Sequence, residues 1–404
     1  MNETTPGTDA KLAIIVHSFA DGGGGAERVA ANLAHYYAGQ GQEVDLVVFN
    51  SDGAFASLLG DKLNLVDLQV NAKRLWPYRP GTWLALARYF KNEQPEYVLS
   101  SIRHINIAVG LSAYLKKPRR LIFREINTQG GVSNRKPIAR FFYRFLMTLS
   151  YRKADGIIAN SNDTRDDLLR YGIVPESKIT VIQNPVLRSD YKEFAGREIS
   201  EPWLNDSSLR VVLGVGRLTH QKNFPLLVRA FSRVYEQDQR ARLIILGHGE
   251  EHSTLNALID ELNLKQVAKI MGFQSNIFPY FKKASVFALC SLWEGFGNVL
   301  VESLAVGTPV VSMDCPGGPR TILQDGQFGR LVKAGDLDGF ATAIAELLKR
   351  PAFNPDDLVQ RSEAFMVDTV AKEYLAVINN TFQQVNKTNS AMLENRERTK
   401  IFKD

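Results

Sequence analysis

Cysteine is almost absent from this chain. Cys290 and Cys315 are the only two in 404 residues, which argues against a disulfide scaffold or a cysteine-based zinc site. Long apolar runs are missing too, since none approaches the ~20 residues a membrane-spanning helix needs. The opening MNETTPGTDAKLAIIV lacks the charged start and apolar core of a secretory leader. Together these absences predict a soluble protein of a reducing compartment. Wholesale disorder and collagen-like repeats are excluded, because 45% of the residues are apolar and 23% charged, ordinary values for globular chains. At about 100–200 residues per domain the length corresponds to two or three domains.

Acidic side chains are scarce in one region. The formal net charge is +6, yet between Lys73 and Lys153 seventeen Lys or Arg face only Glu93, Glu96 and Glu125. Such a stretch predicts an anionic partner. Trp76, Tyr78, Trp83, Tyr89 and Phe90 lie among the first of these cations, and Phe141, Phe142, Tyr143 and Phe145 among the later ones. Rings interleaved with cations suit an anionic membrane surface. Nucleic acid uses the same ingredients and is a minor reading; a merely solvated basic face is the other. Lys136, Arg140 and Arg144 fall at i, i+4 and i+8. They would line one helix face for ~12 Å, a row suited to a linear polyanion such as a diphosphate head group.

Strand and helix patterns alternate throughout. LAIIVHS (12–18), VDLVVF (44–49), YVLSSI (97–102), RLIFREI (120–126), GIIANS (156–161) and ITVIQN (179–184) read as buried strands. The second half repeats the rhythm with VVLGVGRL (211–218), RLIILGHG (242–249), KIMGF (269–273), SVFALC (285–290), TPVVSMD (308–314) and GRLVKAG (329–335). Helical patterns lie between, among them 26–39, 105–117, 224–237 and 298–307. This predicts an α/β chain of two Rossmann-like, doubly wound domains facing a cleft, with ligands at the carboxyl ends of the strands. The expected division is 1–190, 191–365 and a terminal helix with charged tail, 366–404.

Three loops carry candidate chemistry. Gly22 to Gly25 follow the first strand and open a helix, where a backbone without side chains lets an anion approach. The loop is not GxGxxG, so a dinucleotide fold is disfavoured. Gly216 and Arg217 follow the strand 211–218, and Lys222 comes five residues after Arg217; Arg as a fork and Lys as a point charge could grip a diphosphate. Most specific is Glu294-Gly295-Phe296-Gly297-Asn298, with Glu302 one turn into the helix that follows. There, glycine amides can meet an anion, and a carboxylate can accept hydrogen bonds from sugar hydroxyls. Two features are set aside by default. Asp336-Leu337-Asp338 reads as a helix N-cap rather than a metal site, and His104 as an ordinary structural histidine.

GGGGAERV, GRLTHQKN and GFGNVLVESLAVGTPVV, in that order and with Glu294 and Glu302 in place, resemble the family 4 retaining glycosyltransferases of GT-B fold. The resemblance spans about Lys11 to Arg350. It implies an acceptor-binding first domain and a nucleotide-sugar-binding second one. Glu302 would hold the ribose hydroxyls and Glu294 the donor sugar. Arg217 and Lys222, with amides near Gly295–Asn298, would stabilise the departing diphosphate. Gly216 and Phe273 would lie in the donor site, with Gly23, Gly24 and Gly25 beside the phosphates and His104 near the reacting centre. Asn184 would be the interdomain asparagine, and the terminal helix would cross back onto the first domain. Two positions depart from the family: Thr321 stands where a glutamate is frequent, and Glu125 where many members have a histidine.

The implied chemistry is transfer of a hexose or N-acetylhexosamine, with retention, from a nucleotide-diphosphate sugar, UDP-linked by expectation. No metal or other cofactor is expected, because preorganised cations can meet the charge on the leaving group. The basic aromatic region points to a lipid-linked or glycan acceptor for surface polysaccharide at the inner face of the cytoplasmic membrane. A soluble transferase for small acceptors is one alternative; a catalytically silent nucleotide-sugar-binding subunit is another.

Overall fold

The computed structural model describes residues 10–18, 24–50, 63–70, 79–126, 137–350 and 352–379. Trp76, Tyr78, Gly23, Lys136 and the tail from residue 380 lie outside the described residues.

The first sheet comprises β1 (Leu12–Ile15), β2 (Val44–Val48), β3 (Asn64–Asp67), β4 (Tyr97–Ser101), β5 (Arg120–Glu125), β6 (Gly156–Ala159) and β7 (Ile179–Val181). The second comprises β8 (Arg210–Val215), β9 (Ala241–Leu246), β10 (Ala268–Ile270), β11 (Val286–Leu289), β12 (Val310–Asp314) and β13 (Arg330–Lys333). Their orders are β3-β2-β1-β4-β5-β6-β7 and β10-β9-β8-β11-β12-β13, and each pairing is parallel. Runs such as LAII and GIIA are buried along their whole length, as expected where helices cover both faces of a parallel sheet. Strand order reverses between β1 and β4 and again between β8 and β11, and a ligand crevice opens at the carboxyl end of such a reversal.

The sequence reading found twelve strands and missed β3. NLVD is a half-buried edge without the apolar run that marked the others. The helix Pro80–Asn92 was missed as well. It starts on proline and buries Leu86, Tyr89 and Phe90 against β1 and β2, and the Tyr89 hydroxyl donates to Asp45 at 2.6 Å. Tyr89, Phe90 and Tyr143 therefore belong to the core of the first domain, which corrects their reading as rings for a membrane. Arg103 and Arg124, counted among the cations of that stretch, are held inside it as well: Arg103 pairs with Glu125 at 2.8 Å, and Arg124 is fully buried. Asp336 is the N-cap of the helix Leu337–Lys349, its carboxylate accepting from the Gly339 amide at 2.8 Å.

Two chain segments join the halves and run side by side. Val186 and Leu187 donate their amides to the Phe365 carbonyl at 2.9 and 3.1 Å, and Val367 donates to Leu187 at 2.8 Å. The helix Val367–Ile378 then packs Val370, Ala371, Tyr374 and Ile378 into the core beneath β1. Its Tyr374 hydroxyl accepts from Arg124 Nε at 2.9 Å, and Arg124 Nη2 reaches Asn184 Oδ1 at 2.5 Å. Replacing Tyr374 by phenylalanine leaves the buried Arg124 Nε–H without its acceptor. The expected cost is about 1.5–3 kcal/mol, measured as a lower urea midpoint for the first domain. An unchanged midpoint would show that this bond contributes nothing.

Candidate active site between the two sheets

The second domain supplies two loops that are tied to each other. After β8 the chain passes Gly216, where an added Cβ would stand 3.3 Å from the Lys222 side chain, and reaches a short 3₁₀ turn, His220–Lys222. After β11, the Leu292 amide donates to the Gln221 carbonyl at 2.9 Å, and Gln221 Nε2 donates to the Trp293 carbonyl at 2.9 Å. The Cys290 thiol donates to the Lys222 carbonyl at 3.0 Å. This stitching places Lys222 Nζ 2.5 Å from Glu294 Oε1, and the Ser291 hydroxyl donates to the same oxygen at 2.6 Å. Glu294 is only 5% exposed. One of its carboxylate oxygens thus meets both a cation and a hydroxyl.

Glycines let another loop approach closely. A Cβ on Gly317, whose φ is +124°, would fall 2.3 Å from the Glu294 carbonyl oxygen, and one on Gly318 would fall 2.0 Å from that of Phe296. Only this paired glycine lets β12's following loop lie against the Glu294 loop. Phe296, expected in the donor site, has its side chain in the core against Phe365, with ring centroids 5.8 Å apart, so its ring anchors the loop and only its backbone is left to face a ligand.

Glu302 sits on the helix Asn298–Leu304 and is 1% exposed. Neither carboxylate oxygen has an aligned hydrogen bond among the described residues. Arg28 Nη2, from the first domain, lies 2.6 Å from Oε1 as an ion-pair partner. Asn298 Oδ1 accepts from Asn184 Nδ2 at 2.8 Å, and Asn298 Nδ2 reaches the Gly25 carbonyl at 3.3 Å. Gly25, at the start of the helix that follows β1, thus faces the Glu302 helix directly. The Gly24 amide is already taken, donating to Glu27 Oε2 at 2.9 Å, so in this state it does not present a free N–H.

The first domain adds His104, in the first turn of the helix Arg103–Ser112. Ile102 before it has φ +78°, a strained conformation for a β-branched residue that turns the chain sharply out of β4. The His104 ring meets that of His17, at the end of β1, edge to face with centroids 5.6 Å apart. Glu125, the departure from the family pattern, is a buried acceptor of bonds from Arg103 Nε and Asn106 Nδ2, both at 2.8 Å, and of a short one from the Tyr151 hydroxyl.

The other expected residues are dispersed. Arg217 is exposed and has no ion pair among the described residues. Phe273 is 51% exposed, its ring edge-on to His248. Arg140 and Arg144 lie on the exposed face of the helix Pro137–Lys153, where Arg144 Nη2 donates to the Tyr171 carbonyl at 3.0 Å. Sequence reasoning missed Arg28, His17 and Ser291. It also missed two first-domain residues that reach across: Asn160, donating to the Gly295 carbonyl at 3.1 Å, and Asp163, accepting from the Gly317 amide at 2.7 Å. Their only local mark is a polar cluster, NSND, at the carboxyl end of β6.

Residues 23–187 match the family model described as Glycosyltransferase Family 4, and residues 196–364 that described as Glycosyl transferases group 1. The chain belongs to glycosyltransferase family 4. A relative of this glycosyltransferase in Campylobacter jejuni is named N-acetylgalactosamine-N,N'-diacetylbacillosaminyl-diphospho-undecaprenol 4-alpha-N-acetylgalactosaminyltransferase. It is 28% identical over 367 residues, covering 90% of this chain and 95% of that one. The lipopolysaccharide outer core galactosyltransferase WaaB, in its apo form, superposes with a TM-score of 0.69 at 22% identity, covering 92% and 99% of the two chains. HepE of Anabaena, solved with UDP, gives 0.72 at 18% identity, covering 92% and 100%. These structures share the GT-B arrangement of this glycosyltransferase.

Burial first, and His17 second, depress the His104 imidazole from 6.5 to about 4. The unfolded chain takes up that proton near pH 6.5 and the folded one only near 4. The stability tied to neutral His104 is therefore full above pH 6.5 and is lost on acidification through that window. His104→Gln should lose less stability than wild type between pH 6.5 and 4, by about 3 kcal/mol. Parallel stability curves for the two proteins would refute this.

Proposed function

We propose that this glycosyltransferase moves a hexose or N-acetylhexosamine, with retention, from a UDP-sugar to a lipid-linked glycan at the inner face of the cytoplasmic membrane, without a metal ion. The observation that carries the reading is the buried Lys222–Glu294 pair at the β8 and β11 loops, together with a buried Glu302 carboxylate whose oxygens lack aligned donors among the described residues. Ribose hydroxyls donating to Glu302 would satisfy those oxygens. Glu294 keeps a second oxygen for a hydroxyl of the transferred sugar. As the anomeric C–O bond breaks, its electron pair stays with the diphosphate, and Lys222 with the exposed Arg217 meets the growing charge. The acceptor hydroxyl attacks from the face the diphosphate leaves and passes its proton to a leaving phosphate oxygen, so no protein nucleophile is needed.

The acceptor part rests on two supports. The Campylobacter relative is named for a diphospho-undecaprenol acceptor. On the helix Pro137–Lys153, Ile138, Phe141, Phe142 and Phe145 are 75%, 69%, 60% and 52% exposed, beside exposed Arg140 and Arg144. Exposed rings flanked by cations fit the boundary between head groups and acyl chains. The UDP part is supported by UDP in the HepE structure.

Thermal stabilisation by nucleoside diphosphates and their sugars, with EDTA present, tests the donor reading. At 100 times its dissociation constant the right ligand adds about 2.7 kcal/mol. It should stabilise wild type and fail with Glu302→Ala; no shift with any of them would sink the reading. For the membrane part, wild type should float with phosphatidylglycerol vesicles at low salt and detach as salt rises. The triple variant Phe141→Ser, Phe142→Ser, Phe145→Ser should stay in solution. Equal flotation of both would remove that helix from the account.

A further inference from the structure

Arg28 is the one residue of the first domain whose charge lies against a donor-site carboxylate among the described residues, and the proposed function gives it no task. It is in the first turn of the helix Gly25–Gly39, its side chain 39% exposed, with Nη2 2.6 Å from Glu302 Oε1. The contact is one of charge without direction, because neither Glu302 oxygen has an aligned donor among the described residues. Glu302 is thus a buried carboxylate, 1% exposed, balanced by a borrowed cation from the other half and still lacking hydrogen bonds among the described residues. Arg28 in turn has no other ion pair among the described residues.

We propose that Arg28 changes partner when the donor binds, turning from Glu302 to the donor diphosphate. This rests on the donor reading above. Ribose hydroxyls supply Glu302 with the two aligned donors it lacks. The same ligand brings a diphosphate joined to that ribose through C5′ and one bridging oxygen, within reach of a side chain as long as arginine. A guanidinium prefers phosphate oxygens, which it can grip by two parallel N–H bonds, to a single unaligned carboxylate contact. Arg28 then adds a third cation to the leaving group, beside Lys222 and Arg217 and from the opposite wall of the cleft. It is a diphosphate-binding residue lent by the acceptor domain, and its swap ties donor arrival to the contact between the halves.

The test is a cycle of four proteins, wild type, R28Q, E302Q and the double variant, titrated calorimetrically with UDP and, in parallel, with ADP, GDP and CDP. With the nucleotide that binds wild type, R28Q should weaken affinity at least tenfold in both the Glu302 and the E302Q backgrounds, and R28K should recover part of the loss. If R28Q has no effect once Glu302 is glutamine, Arg28 serves only its ion pair and the proposal is overturned. Tighter binding by R28Q would make Arg28 a competitor for the site and overturn it equally. Wild type that binds none of the four overturns the donor reading itself, an outcome separable from the others because it precedes any substitution.

Discussion

A buried guanidinium with no ion pair among the described residues sets the relation between the two halves. Arg124 is fully buried and donates to two neutral oxygens, those of Tyr374 and Asn184. Asn184 passes the chain of bonds to Asn298, and Asn298 to the Gly25 carbonyl. In one line this joins the terminal helix, β5, the connecting segment, the head of the Glu302 helix and the glycine loop. A buried charge held by dipoles tolerates little loosening of any one of them. Tyr374, Asn184 and Asn298 are therefore restrained from a single point.

The two carboxylates of the site differ in what they depend on. Glu294 receives its cation from the neighbouring loop of its own domain, so that pair survives any movement between the halves. Glu302 receives its cation from across the cleft, so its neutralisation is conditional on their closeness. One is a fixed element of the donor domain; the other reports on the interface. Asn160 and Asp163 strengthen the same interface by bonding backbone groups of the Glu294 and Gly317 loops. The conformation of the donor loops is thereby shared property of both domains.

Much of this was legible in the sequence because parallel strands covered on both faces must be apolar throughout, and runs such as LAII, GIIA and RLIILG announce themselves. β3 was not, because an edge strand half open to water needs no such run. The three loop motifs stood out because glycine and charge at the end of a strand have few structural uses. Composition misled where it counted charge without burial: Arg103 and Arg124 look like surface cations in a list and are interior donors in the fold. Tyr89 and Phe90 likewise look like interfacial rings and are core. Arg28 carries no local mark of a role, since its partner Glu302 lies in the other domain. The His17–His104 contact escaped because the two residues follow different strands of the first sheet and nothing local marks their meeting.

The terminal helix has a consequence for how the chain comes into being. The face of the first sheet beneath β1 is closed by Val370, Ala371, Tyr374 and Ile378, residues that leave the ribosome after the whole second domain. One of the first domain's two cores can thus close fully only after the second domain has been made. Until then the apolar patch around Leu12 and Ile14 is covered only in part, by Val29, Leu33 and Tyr37 of the helix Gly25–Gly39, while the buried residues of the second domain's two cores all lie between Val186 and Phe365. Vectorial synthesis and order of consolidation run in opposite directions in this molecule, and the nascent chain passes through a stage in which its older half waits for its younger one.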